Sequence, residues 1–398
     1  MGPTAVETET SFRSRPAPWW RAEPFRLFFP LGVLLAWVGV GHWLLYALGV
    51  TATYSCELHG LLQMETFLMA FALGFLLTAL PRRTQAAPPS ASEISAMVAA
   101  LLATAAALLA GRWGLAQVGY AAVFLALLHF ALRRFLGRGG ERRPPAAFVL
   151  IPLGVLHGLG GAALIGAASA GAAAPWTMKL GKLLVEQGVF LCLVIGVGSL
   201  ILPLIGGEAP PPDLGSSPRE RWRAVAYGAA GVAVFASLLL EQLGWERGGP
   251  LLRALVVALG MGLGGGAWHP PGKPGLHRRL VWISVWMVPF GLAVSAAWPD
   301  YRVPALHILF IGGFALMAFG VATHVAYSHL DLQRLATGRP PAVVALAVGF
   351  LLALLARLAA DMSDTYFIHL GCAAACWIAG SAVWLASLAP HLLRRPRP

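Results

Sequence analysis

Histidine and carboxylate are the side chains in this sequence whose placement calls for chemistry. The run PALHILFIGGFALMAFGVATHVAYSH, Pro304 to His329, carries His307 near one end and His324 and His329 near the other. A second run, LHGLLQMETFLMAFALGFLLTALPRR, Leu58 to Arg83, carries His59 and Glu65. Both are apolar for long enough to cross a bilayer. An ionisable group is costly in such a run, so it faces the bundle interior and serves a function. Neutral imidazole is a common ligand of haem iron and of copper. A carboxylate beside it can accept from the second ring nitrogen or carry a proton.

The elements that must position these groups are membrane helices. Hydrophobic residues make up 58% of the chain and charged ones only 12%, about half the charge of an ordinary soluble domain. The apolar runs are continuous rather than alternating, which favours an all-α polytopic bundle over a barrel. Twelve spans are expected, near 24–48, 58–80, 92–111, 114–132, 147–170, 180–205, 224–243, 250–268, 280–298, 304–326, 341–360 and 368–389. Residues 1–22 read as a cytoplasmic tail ending in the interfacial pair Trp19–Trp20, 23–390 as the bundle, and 391–398 as a basic cytoplasmic tail. The first 20 residues are too polar for a signal peptide. No internal repeat is legible.

The net charge of +12 does not point to nucleic acid. With both termini placed in the cytoplasm, the large majority of the 29 Lys and Arg residues fall in the inner loops, the topology signal of a bacterial inner membrane protein. That topology gives each polar residue a depth. His42, His59, Glu65, Glu186, His307 and His369 fall in one outer layer, and His324 and His329 fall at the inner face. A transmembrane histidine can also serve only to hydrogen-bond one helix to another, and that reading suits His42, His129 and His157. His277 and His391, beside arginines, read as interfacial, and His269 as a helix-end residue.

The four cysteines form no disulfide framework, and no CxxC or CxxCH occurs. His369, Cys372 and Cys376 share one helix face, and thiolate with imidazole suits Cu(I), although packing explains the cysteines equally. No Walker motif is present, which excludes a P-loop ATPase. No span carries an adjacent His-His pair, against an ordinary haem–copper oxidase catalytic subunit.

Several segments carry a family resemblance. PFRLFFPLG at Pro24 to Gly32, followed by His59 and then GFLLTALPRRT at Gly74 to Thr84, resembles the opening of the NnrS family. ALHILFIGGFALMAFGVATHVAYSH resembles that family's second hallmark, and GVGSLILP at Gly196 to Pro203 is similar to its GGRxIP segment. Leu61 and Leu62 stand where the family has a second His and a Glu, His324 where it has Arg, and Ser199 where it has the Arg of GGR. The resemblance implies a haem- and copper-containing inner-membrane protein of nitric oxide metabolism or nitrosative-stress resistance, with His59, His307 and His329 as the carried-over positions. From depth alone, His42 and Glu65 join the cofactor-binding set, and His324 and His369 join the metal set. Two other functions fit the residues: a proton-coupled transporter or channel using buried His and Glu, and a non-catalytic subunit of a respiratory complex.

Overall fold

Every long apolar run is helical. A computed structural model describes residues 18–135, 142–172, 174 and 176–394. Most of the N-terminal tail and the end of the basic C-terminal tail therefore lie outside the described residues. Eleven helices are long and apolar enough to cross a membrane: α1 Phe25–Ala47, α2 Cys56–Thr84, α3 Ala91–Leu109, α4 Trp113–Arg134, α5 Ala146–Ser169, α6 Trp176–Gly206, α7 Pro218–Gln242, α9 Leu276–Ala297, α10 Pro299–His329, α11 Pro341–Ala360 and α12 Tyr366–Leu392. The remaining expected span, 250–268, is a shorter apolar helix, α8, Gly248–Gly264. It stops early because glycines follow it; Gly266 takes a left-handed φ of 68°.

Polar caps mark where the chain leaves the apolar runs. Ser55 accepts a hydrogen bond from the Leu58 amide at the start of α2. Ser90 and Glu93 form a reciprocal capping box at the start of α3. Ser217 caps α7, with Pro218 at its first position.

The burial pattern carries an order that the sequence does not announce. Consecutive helices pack on one another around a ring, and α12 returns onto α1. Three helices sit inside it. Over their membrane-spanning windows α2 is 89% buried, α6 61% and α10 67%, against 28–56% for the other eight long helices. The inner helices recur at every fourth crossing. They are also the longest, at 29, 31 and 31 residues. Each contains a widened π-helical turn: Leu62–Leu68 in α2, Leu184–Gly188 in α6 and Ile308–Ala315 in α10. Such turns re-aim side chains and are frequent at functional sites.

Candidate cofactor site between α2, α6 and α10

The three π turns surround a cavity of about 280 Å³. Its polar groups are His59 and Gln63 from α2, Lys182 and Glu186 from α6, His307 from α10 and Arg357 from α11. Its apolar wall includes Trp43, Met64, Phe67, Phe310, Tyr366 and Trp377. A smaller apolar cavity of about 110 Å³ shares Leu68 with it and continues along the same three helices past Phe71, Phe190 and Phe314.

His59 and His307, near the N-terminal ends of α2 and α10, meet here. Their ring centres are 6.4 Å apart and their planes differ by 8°. His59 pairs through Nδ1 with the Gly39 carbonyl at 2.8 Å. His307 pairs through Nδ1 with the Val303 carbonyl at 2.8 Å. Both rings therefore donate from Nδ1, which leaves Nε2 as the lone-pair nitrogen. Neither Nε2 has a hydrogen-bond partner among the described residues. This is the arrangement of a metal-ligating imidazole oriented by a carbonyl behind it.

Gly39 carries more than His59. Its carbonyl also receives Nδ1 of His42, at 3.0 Å. The His42 and His59 rings lie 6.0 Å apart, and His42 Nε2 is buried and unpartnered. A Cβ at residue 39 would run into the Gln63 amide and stand 3.0 Å from Leu62 Cβ, so glycine lets α1 lie this close to α2 without displacing either. Gln63 in turn donates to the Ala36 carbonyl at 3.1 Å.

Not every residue of the expected layer joins the cavity. Glu65 is fully buried on another face of α2, where it accepts a hydrogen bond from Gln117 of α4 at 2.8 Å. His369 does not line the cavity, and Cys372, one turn on, is exposed. His324 pairs instead with His277 of α9, Nδ1 to Nε2 at 3.3 Å. His277 is fully buried rather than interfacial, because α9 turns it toward α10 and away from the surface. His329 binds through both nitrogens: Nδ1 donates to Glu23 at 3.1 Å, and Nε2 receives Arg82 at 3.1 Å. It lies 22 residues beyond His307, about 33 Å along the helix.

Arg357, Lys182 and Glu186 complete the polar lining. A lone arginine inside the apolar run of α11 is the signal that singles out the first, since a charge there needs a partner. Arg357 bonds Asp361 one turn on. Lys182 lies 3.7 Å from Glu57.

The donor set decides what the cavity can hold. Among the described residues no three His, Cys, Asp or Glu side chains converge as a metal site. A bare zinc ion takes three or four protein donors. A haem brings four nitrogens of its own and asks the protein for one or two axial ligands. His59 and His307, both in the cavity lining with their Nδ1 atoms tied to carbonyls, could supply such ligands. The aromatic wall suits a flat macrocycle, and Arg357 and Lys182 suit its carboxylates.

No curated protein matches the sequence. The family model described as NnrS protein matches residues 19–397, nearly the whole chain. The chain is a multi-span membrane protein of the NnrS family.

Proposed function

We propose that this protein binds haem in the cavity between α2, α6 and α10 and serves nitric oxide metabolism or nitrosative-stress resistance. The observation that carries the proposal is the parallel His59–His307 pair, each ring fixed from behind by a carbonyl and each Nε2 free toward one cavity. His59 and His307 would hold such a group, Gly39 and Val303 orient the two rings, and Arg357 and Lys182 would face its carboxylates. With only one of the two imidazoles bound to it, haem iron would supply a site for a diatomic gas. The link to nitric oxide rests on family membership. The continuation of the cavity into an apolar pocket among α2, α6 and α10 suits an uncharged gas that partitions into the bilayer. The alternation of charged loops supports a bacterial inner membrane with both termini on the cytoplasmic side.

Copper is the second candidate occupant. The same two imidazoles would serve as its protein donors, joined by His42 only if that ring turns, because His42 does not line the cavity.

The test is an absorption spectrum and metal analysis of the full chain, expressed with ample haem and purified in mild detergent. A Soret band, with iron near one equivalent and lost in His59→Ala and His307→Ala, is the expected result. Copper at one equivalent without a Soret band would replace haem by copper. A protein free of both would end the cofactor reading.

A further inference from the structure

Glu65 is a carboxyl group in the middle of the bundle with no cation paired to it among the described residues. Its bonded partner among them is Gln117, whose Nε2 donates to Oε1 at 2.8 Å. Its second oxygen, Oε2, is buried and unpartnered among the described residues. So are the remaining amide oxygen of Gln117 and the hydroxyl of Tyr120. Tyr120 stands one turn from Gln117 on the same face of α4. All three side chains are within 3% of complete burial. Each orphaned polar atom gives up its hydration for nothing if nothing meets it. Three on two neighbouring helices mark a place built to hold something small and polar.

The chemistry of the three groups says what. They offer a carboxyl, an amide oxygen and a phenol. An oxygen-ligated metal cation takes about six or more oxygens, and three are too few. An unpaired carboxylate is also too costly to keep ionised away from water. A proton on Glu65 removes that charge and converts Oε2 into a donor, and one ordered water can then bridge the remaining oxygens.

The site also has a neighbour with access to the cavity. The π turn of α2 packs directly against the π turn of α6. That turn carries Glu186, which lines the histidine cavity and has its Oε1 3.2 Å from where a Cβ on Gly60 would stand. Gly60 and Glu65 are five residues apart on α2, about 7 Å along the axis. Of the other titratable groups on elements packed against this turn, His42 of α1 is held through Nδ1 by the Gly39 carbonyl and has Nε2 unpartnered among the described residues. Glu93 of α3 is paired with Arg134 at 3.0 Å.

We infer that Glu65, Gln117 and Tyr120 form a buried proton-binding site, distinct from the histidine cavity, that exchanges its proton with the cavity by way of Glu186. The site stands on its own geometry; what its proton serves rests on the haem reading above.

Infrared spectroscopy of the full chain in lipid nanodiscs tests it. The wild type is expected to show the C=O stretch of a protonated carboxylic acid at neutral pH, shifting in D2O. The band should vanish in Glu65→Gln and move in Tyr120→Phe. Its hydrogen–deuterium exchange should slow several-fold in Glu186→Gln. The D2O shift needs no variant, so it stands even if a substitution impairs folding. No protonated-acid band in the wild type, or a band that survives in Glu65→Gln, would overturn the site. A band that disappears on adding Na⁺ would overturn the proton in favour of a metal cation, and unchanged exchange in Glu186→Gln would overturn the route. A Soret spectrum on the same sample reports the haem reading separately.

Discussion

The two ends of α10 carry the same residue type and put it to opposite uses. At its N-terminal end, the outer one in the proposed topology, His307 has one nitrogen tied to a carbonyl and lines a cavity that also holds His59. At its C-terminal end, the inner one in that topology, His329 has both nitrogens occupied, by Glu23 and by Arg82. Glu23 also binds Arg26 at 2.6 Å. Arg26 in turn reaches the carbonyls of His391, Leu392 and Arg394. One end of the helix keeps a lone pair available, and the other ties His329 into a network that joins Glu23, Arg26 and Arg82 to the end of α12. A histidine is a ligand candidate when its second nitrogen has nowhere else to go.

The sharpest way to break this contrast is to remove the free lone pairs. His59→Ala and His307→Ala should each abolish stable haem binding, read as loss of the Soret band, with the double variant no worse than either single one. His329→Ala should keep the band. A haem spectrum that depended on His329 and ignored His307 would reverse the assignment of the two ends.

Glu23 tests the inner end with the next largest effect. Glu23→Gln removes the acceptor shared by Arg26, Arg82 and His329 and should cost about 2 kcal/mol, seen as a lower midpoint of thermal unfolding in detergent. The Soret band should not move. The pH dependence has a definite sign. Burial pushes the Glu23 carboxyl up, but the hydrogen bonds from His329 and Arg26 outweigh it and hold the group below its usual value of 4.5. A depressed carboxyl stabilises the fold above its ordinary value, and that share is lost as pH falls through the lower folded value. The wild type should therefore lose stability below about pH 4.5 more steeply than Glu23→Gln.

Arg357→Gln returns to the outer end. It leaves both imidazoles in place and removes a cation from the cavity lining. Haem should bind about tenfold more weakly, near 1.4 kcal/mol, measured by competition with apomyoglobin, and the Soret maximum should stay where it was. Equal affinity in the two proteins would mean that Arg357 serves only Asp361.

The sequence makes depth readable but not azimuth. Apolar runs and charged loops place His59 and His307 at one level, and the bundle brings them together there. Depth alone also puts Glu65 with them, yet it faces α4 while His59 and Gln63 face the cavity. The π turn over Leu62–Leu68 re-aims these side chains, and that is not legible in the sequence. Nor is the role of the Gly39 carbonyl, because it depends on how closely α1 lies against α2. The enclosure of α2, α6 and α10 is likewise hidden, since lipid-facing and protein-facing positions are both apolar. Their extra length and the π turns are what the fold adds.

The smallest effect belongs to the inner pair His277–His324, and it tests the rule about second nitrogens most finely. Their bond, at 3.3 Å, is long for a hydrogen bond between neutral rings, and His277 Nδ1 is already unpartnered. His324→Phe removes the bond and also leaves His277 with both nitrogens unmet in a buried position, so it should cost about 1 kcal/mol. His277→Phe combined with His324→Phe removes both polar groups and should recover part of that loss, because two apolar rings leave nothing unsatisfied. Neither variant should touch the Soret band. A band weakened by His324→Phe would show a ligand at the inner end after all, and the division of α10 into a binding end and a fastening end would fail.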